Sequence, residues 1–223
     1  MRRDIVTSLV GILVFTLSCG VAYPLLITGV SQVAFPGNAN GQKIYVQGKL
    51  VGSKIIGQDF ADVVMKNGEP EMLKGEPVTT PDPRYFQARP SGTTPADNAA
   101  ASSFANYGPN SVVTEQAITA NVQAYIALDK APDGMPYYPG GLTAGKVPVD
   151  AADTSASGID PDISPRNADI QAYRIAAVRH LSLARVRHLI STYTAGRGLG
   201  FSGEPGVDVL ELNLALNRLS GGS

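Results

Sequence analysis

Cysteine is almost absent from this sequence, and that absence limits how the fold can be stabilised. Cys19 is the one cysteine among 223 residues, so no disulfide can form within the chain. Tryptophan is missing altogether, and the only histidines are His180 and His188. Neither a further cysteine nor a carboxylate cluster accompanies these histidines, so the sequence predicts no metal site. The protein must therefore depend on its own hydrophobic core.

Charge is missing from a long stretch near the N-terminus. No charged side chain lies between Asp4 and Lys43, and an almost unbroken apolar run of 23 residues extends from Ile5 to Ile27. A helix of that length spans roughly 35 Å, compared with about 30 Å for the hydrocarbon core of a bilayer. The sequence thus predicts an N-terminal transmembrane anchor over residues 1–30.

Two other interpretations of this segment remain open. A cleaved signal peptide would also begin with basic residues such as Arg2 and Arg3, but this apolar run is longer than a usual signal sequence. The sequence that ends at Cys19 resembles a lipoprotein cleavage site, although Thr16 stands where such sites usually carry leucine. We interpret the run as a permanent anchor.

The distribution of basic residues predicts the orientation of the anchor. Arg2 and Arg3 precede the helix, and the next basic residue is Lys43. The positive-inside tendency therefore places the N-terminus in the cytoplasm. Residues 31–223 are then expected to lie outside, on a single-pass protein of the cell inner membrane.

The overall charge is nearly balanced, which argues against nucleic acid as a partner. The net charge is −1 and charged residues make up 17% of the chain. One region departs from this balance, since the stretch from Arg166 to Arg197 holds six arginines and two histidines against the single acid Asp169. This basic face could be solvated, or it could pair with carboxylates of a partner subunit or with phosphates of membrane lipid.

The pattern after the anchor predicts an α+β fold, namely one mixed domain with a β-hairpin and three to four helices. Loop-rich insertions are expected near residues 61–83 and 130–145, and a polar loop at 155–165. The predicted elements are a β-ribbon over 43–57 that turns at Gln47-Gly48, a short strand at 84–89, a helix over 112–128, an edge strand at 147–149, two helices around 170–181 and 183–193 with Ser182 as an N-cap, and a last helix capped by Asp208 with Glu211 three residues on.

Motifs that carry catalytic chemistry are missing or occur in the wrong context. The stretch from Gly198 to Gly203 has the spacing of a dinucleotide-binding loop, but a predicted helix precedes it where that motif needs a strand. We therefore interpret it as a flexible turn. The sequence has no phosphate-binding loop, no P-type phosphorylation motif and no nucleophile beside a base, so we expect neither a catalytic residue nor a bound cofactor.

Four segments, in this order behind a single membrane helix, resemble the C subunit of the bacterial Kdp potassium-transporting P-type ATPase complex. The segments are Val51–Gln58 with Phe60, Asp82–Phe86 with Arg89–Ser91, Ser155–Pro161 with Ile163 and Ser164, and Gly203–Pro205 with Val209–Leu216. The chain departs from the family pattern at Asp162, where histidine is usual, at 101–106, where a glycine-rich stretch is replaced, and at 61–81, which looks like an insertion.

The resemblance implies a non-catalytic accessory subunit of a high-affinity, ATP-driven potassium uptake pump. Such a subunit would hold the channel-like, potassium-translocating subunit and the ATP-hydrolysing subunit in one complex and raise the pump's affinity for ATP. ATP and potassium would then belong to the complex rather than to this chain. Two other functions stay open: a free-standing, membrane-anchored binding or sensor domain outside the cell, and a secreted hydrolase.

Two kinds of residue are candidates for contacts with partner subunits. Exposed aromatic side chains and rigid turns suit interfaces, although aromatic residues such as Tyr85 and Phe86 are more often buried in the domain's own core. The resemblance adds three polar residues of the first basic helix. The candidates are Tyr85, Phe86, Arg89, Asp160, Pro161, Gln171, Arg174 and Arg179.

Overall fold

A computed structural model describes residues 2–73, 75–93, 95–100, 102, 107–108 and 110–220. The chain divides into two compact units, Met1–Ser53 and Lys54–Ser223. Secondary structure is mixed, as expected for an α+β fold, and each unit contains both helices and strands. The substituted stretch at 101–106 lies outside the described residues except for Ser102.

The first unit begins with a continuous helical segment of 33 residues, Arg2–Ala34, which is long and apolar enough to span a membrane. It consists of α1 (Arg2–Leu17), a π-helical turn (Ser18–Ala22) and α2 (Tyr23–Ala34). Pro24 follows the π-helical turn and has no N–H to donate to the preceding turn, which explains why the regular helical hydrogen bonding changes there. The helix thus extends beyond the predicted anchor.

A short helix, α3 (Pro36–Ala39), connects the apolar segment to a two-stranded antiparallel ribbon. Strands β1 (Lys43–Val46) and β2 (Lys49–Ser53) confirm the predicted hairpin. Gln47 and Gly48 both have positive φ, 50° and 77°, which is the backbone of a type I′ turn. The ribbon ends at Ser53, short of the predicted residue 57.

The segment 61–81 is not loop-rich, contrary to the prediction. It forms an antiparallel arm, in which β3 pairs with β8, β4 with β5 and β6 with β7. Asn67 and Gly68 both have positive φ, so this dipeptide closes a tight hairpin rather than an irregular loop. The strands are β3 (Ala61–Val63), β4 (Met65–Lys66), β5 (Glu69–Pro70), β6 (Met72–Leu73), β7 (Glu76–Pro77) and β8 (Thr79–Pro81).

The described residues of the second unit form four helices of ten residues or more, in agreement with the predicted three to four. Ser164 and Ser182 cap α6 and α7, accepting hydrogen bonds from the amides of Asn167 and Arg185. Asp208 accepts from the Glu211 amide at 2.7 Å and so caps α8 as expected. The helices are α4 (Val112–Leu128), the short α5 (Val149–Ala152), α6 (Pro165–Val178), α7 (Leu183–Thr192) and α8 (Val209–Ser220).

A small three-stranded antiparallel sheet lies between these helices in sequence, in the order β10-β11-β9, and the sequence did not predict it. Its strands are β9 (Asp162–Ile163), β10 (Thr194–Ala195) and β11 (Gly206–Asp208). Two- and three-residue strands are too short for an alternating pattern to stand out. Ile163 and Val207 pair across the sheet and join the core formed by α6, α7 and α8.

Two further predictions were wrong. Residues 84–89 form no strand, because their backbone bonds to side chains rather than to a neighbouring strand. Residues 147–149 do not form an edge strand either. Pro148 precedes the short helix α5, where a proline needs no N–H and its fixed φ suits the entry to a helix.

The cap of α8 predicts a pH dependence of stability. Burial raises the pKa of Asp208 from 3.8 to about 6, and the nearby charges of Glu211 and Asp162 add to this effect. The folded state therefore binds this proton more tightly, so Asp208 makes stability fall as pH rises through the window from 3.8 to about 6. We expect Asp208→Asn, which retains a cap acceptor, to flatten this fall in denaturant unfolding of the full chain in detergent. An unchanged slope would contradict the assignment.

Candidate partner-contact site

The segment that carries Tyr85 and Phe86 is fixed to the helices by two buried amide side chains. Asn213 of α8 accepts from the Phe86 amide and donates to the Phe86 carbonyl, both at 2.9 Å. Gln171 of α6 does the same for Gln87, accepting at 2.8 Å and donating at 3.0 Å. Each amide thus replaces the strand that would otherwise pair with this extended backbone.

Arg174, one turn after Gln171 on α6, completes the attachment. Its guanidinium donates to the carbonyls of Pro83 and Tyr85 at 2.6 and 3.0 Å and to Gln171 Oε1 at 2.7 Å. The side chain is only 2% exposed, and burial lowers its pKa to about 10, which keeps the group charged at neutral pH. Among the described residues its acceptors are uncharged oxygens, so the cation is stabilised by dipoles rather than by an ion pair.

Tyr85 lies at the outer edge of this network, half-buried beside Arg179. The Arg179 guanidinium stacks 4.7 Å from the Tyr85 ring centroid and donates to the Arg84 carbonyl at 2.6 Å and to Asn217 Oδ1 at 3.0 Å. Phe60 covers the ring from another direction, with the centroids 5.3 Å apart. The arrangement presents an aromatic ring and a cation together at the surface.

An ion pair closes the turn before Tyr85. Arg84 forms a bidentate contact with Asp82, with its Nη2 2.6 Å from Oδ2, and its backbone amide also donates to Asp82 Oδ1. Burial alone would raise the pKa of Asp82, but the hydrogen bonds from Arg84 outweigh it, and the pKa is lowered. Asp82 therefore stays ionised and orders the turn.

Arg89, Asp160 and Pro161 form a second cluster next to the first. Arg89 Nη1 lies 3.0 Å from Asp160 Oδ2, and the Pro161 carbonyl accepts from the Val209 amide at 3.1 Å. The Gly57 amide donates to the Ile159 carbonyl at 2.8 Å. A Cβ on Gly57 would lie 2.7 Å from the Asp160 carbonyl oxygen, so only glycine permits this approach.

A cavity of about 220 Å³ opens beside this second cluster and includes Arg89, Asp59 and Asp97 in its lining. Burial raises the pKa of both carboxyl groups, and the charge of Asp59 contributes to the value of about 6 at Asp97. Within the part of the chain that the structure describes, no group of three or more His, Cys, Asp or Glu side chains is arranged to hold a metal ion.

The structure thus brings the eight candidate residues into two adjoining clusters but gives them different positions. Phe86, Gln171 and Arg174 are buried within the domain, and Phe86 belongs to the hydrophobic core. The other candidates, Tyr85, Arg89, Asp160, Pro161 and Arg179, are partly exposed. Partner contact through any of them stays a prediction, with the second group as the accessible part.

Several residues that position the site were not among the predicted candidates. Asn213 lies between Leu212 and Leu214 in α8, and Asn167 lies in the first turn of α6. Asn167 Oδ1 accepts from the Tyr125 hydroxyl at 2.8 Å and from Gln171 Nε2 at 2.9 Å, and its Nδ2 donates to Asp150 at 3.0 Å. A polar amide beside the core residue Leu212 is a sequence signal that could have revealed Asn213.

Comparison with known proteins identifies the class of this chain. The family described as "KdpC: K+-transporting ATPase, c chain" matches residues 5–218, which covers nearly all of both units. The class is therefore a subunit of a potassium-transporting ATPase, a membrane-associated pump with further subunits. This chain belongs to the KdpC family.

The sequences of individual relatives align with this chain along nearly their whole length. A protein of Methylococcus capsulatus is 45% identical over 213 residues, covering 95% of this chain and 96% of the relative. A protein of Herpetosiphon aurantiacus is 39% identical over 220 residues and 98% of both chains, and one of Mycobacterium tuberculosis is 39% identical over 219 residues, covering 98% and 100%. Each is named "Potassium-transporting ATPase KdpC subunit".

The buried amide of Asn213 provides a direct test of the network. Asn213→Ala leaves the amide and carbonyl of Phe86 buried without partners, which we expect to lower the free energy of unfolding by about 3 kcal/mol. Asn217→Ala is the matched control, because Asn217 lies one turn later on the same helix and is exposed. Its expected effect is below about 1 kcal/mol. Equal effects of both variants in denaturant unfolding of the full chain would contradict the proposed attachment.

Proposed function

We propose that this chain is a non-catalytic accessory subunit that holds the potassium-translocating and ATP-hydrolysing subunits of the pump together and raises the pump's affinity for ATP. The observation that carries the proposal is the family match over residues 5–218, which places the whole chain in a pump complex. The hydrogen bonding of the site supports a structural role, because Gln171, Arg174 and Asn213 are engaged with the domain's own backbone. In this proposal ATP and potassium are bound by the complex and not by this chain.

We also propose that the N-terminus is cytoplasmic and that the second unit lies outside the inner membrane. Arg2 and Arg3 at the start of the candidate span Arg2–Ala34 support this orientation. An outer domain cannot touch cytosolic nucleotide across a bilayer. Its effect on ATP affinity must therefore be conformational, with the chain binding one state of the pump more tightly than another.

The orientation can be tested with single cysteines in a Cys19→Ser chain. Met135→Cys places a thiol on an exposed loop of the second unit, and Asp4→Cys places one in the first turn of α1, ahead of the apolar run that begins at Ile5. We expect a membrane-impermeant maleimide to label Met135→Cys in spheroplasts and Asp4→Cys only in inside-out vesicles. The reverse pattern, or labelling of both thiols from one side, would contradict the orientation.

The coupling to ATP has a thermodynamic test. If the chain raises the pump's affinity for ATP by some factor, a non-hydrolysable ATP analogue must raise the pump's affinity for the chain by the same factor. We expect a factor of about 5 to 150, typical of coupled sites, in nanodiscs prepared with and without the full chain. Two clearly different factors, or a factor of one for both, would rule out coupling of this kind.

A further inference from the structure

The turn between β10 and β11 presents two large apolar side chains to solvent. Leu199 is 90% exposed and Phe201 is 75% exposed, values that place both side chains almost entirely outside the domain. We refer to Leu199 and Phe201 as the apolar tip. Neither residue belongs to the hydrophobic core, so the domain gains little of its own stability from them.

The turn that carries the apolar tip is closely hydrogen-bonded. Gly198 and Ser202 exchange backbone hydrogen bonds of 2.8 Å in both directions, and the Phe201 amide donates to the Gly198 carbonyl at 3.2 Å. An ion pair between Arg197 and Glu204, 2.7 Å long, joins the two sides of the turn. The stretch predicted as a flexible turn is therefore a preorganised hairpin, which reduces the entropy lost when its side chains bind a partner.

The backbone conformation at Leu199 is unfavourable for a leucine. Leu199 and Gly200 have φ of 53° and 82°, the pair of positive values that a type I′ turn requires. Asparagine or glycine suits the first of these positions, whereas leucine is strained in the left-handed region. A leucine in a strained conformation, with its side chain in solvent, serves neither the turn nor the core.

The charge around the apolar tip distinguishes between two kinds of partner. Residues 196–206 contain only two charged side chains, Arg197 and Glu204, and these neutralise each other in an ion pair. A surface that binds anionic lipid carries unpaired basic residues around its apolar contacts, and this turn lacks that feature. The apolar tip is instead small, rigid and without net charge, and it includes an aromatic side chain, which is typical of residues that anchor a protein–protein interface.

We propose that the apolar tip inserts into an apolar pocket of another subunit of the same pump. This inference rests on the proposed function, which supplies a partner subunit, and it adds the contact that would anchor the second unit to that partner. The contact is separate from the clusters around Tyr85 and Asp160. Leu199 and Phe201 would be its two anchoring side chains.

Two substitutions test the contact without disturbing the fold. Leu199→Asn removes the leucine side chain and relieves the turn, and Phe201→Ser removes the exposed ring. We expect each variant of the full chain to bind a pump preparation that lacks this subunit at least about 30-fold more weakly than the wild type, the loss typical of an anchor residue. Thermal unfolding of Leu199→Asn should occur at the same or a higher temperature.

Met135→Ser is the matched control, since Met135 is also a large exposed apolar residue, on a different loop. We expect it to bind the pump as the wild type does. Wild-type affinity in both tip variants, or weakened binding only in variants that unfold at lower temperature, would overturn the inference while leaving the proposed function intact. Failure of the wild-type chain to join the pump would overturn the proposed function, and this inference with it.

The lipid alternative has its own measurement. Because the chain contains no tryptophan, Phe201→Trp introduces a single fluorescent reporter at the apolar tip. In proteoliposomes that contain only this full-length chain and lipids with brominated acyl chains, we expect solvent-exposed emission without quenching. Blue-shifted, quenched emission would show that the tip enters the bilayer and would overturn the inference.

Discussion

Two buried side-chain amides, on α6 and α8, hold the segment before residue 88 against the helical core. Asn213 and Gln171 each satisfy one donor and one acceptor of an extended backbone that has no neighbouring strand. Buried peptide groups without partners would each cost about 1–3 kcal/mol, so this segment cannot stay buried unless both amides are in place. The position of every candidate contact residue around Tyr85 depends on this pairing.

Arg174 adds a cation to the same network and fixes the orientation of its neighbours. Its guanidinium donates to the carbonyls of Pro83 and Tyr85 and to Gln171, so one side chain orients both the turn and the amide beside it. A charge that is 2% exposed is stable only where several acceptors replace water. These interior residues hold the surface pair of Tyr85 and Arg179 in a fixed position on the domain.

The sequence predicted the elements whose signals are local. The helix over 112–128, the cap at Ser182 and the cap at Asp208 were found because helical spacing and capping residues are read within a few positions of the chain. The hairpin at Gln47-Gly48 was found for the same reason. The arm over 61–81 was missed, since its strands of two or three residues are too short to show alternation.

The candidate site was predicted only in part. Resemblance to a family pointed to Gln171, Arg174 and Arg179, and it included Asn213 only as one residue of the segment Val209–Leu216, without a role. Asn167 was not indicated at all. The partners of Asn213 lie 127 residues away in the chain, and a contact across that separation leaves no pattern in either stretch. The exposure of Leu199 and Phe201 could not be predicted either, because the residues of this turn do not reveal that both side chains point into solvent.

The sequence by itself determined the apolar N-terminal helix, the absence of a disulfide, the main helices with their caps, and the likeness to a potassium-pump subunit. These follow from hydrophobic length, cysteine count, helical periodicity and the order of motifs, all of which can be read along the chain without knowing which residues meet in space. Only the tertiary structure decided which candidates are buried, which amides replace a missing strand, and which apolar residues are left exposed. The physical reason is that burial and hydrogen-bond satisfaction depend on groups that are distant in the chain and become neighbours only when the core has formed.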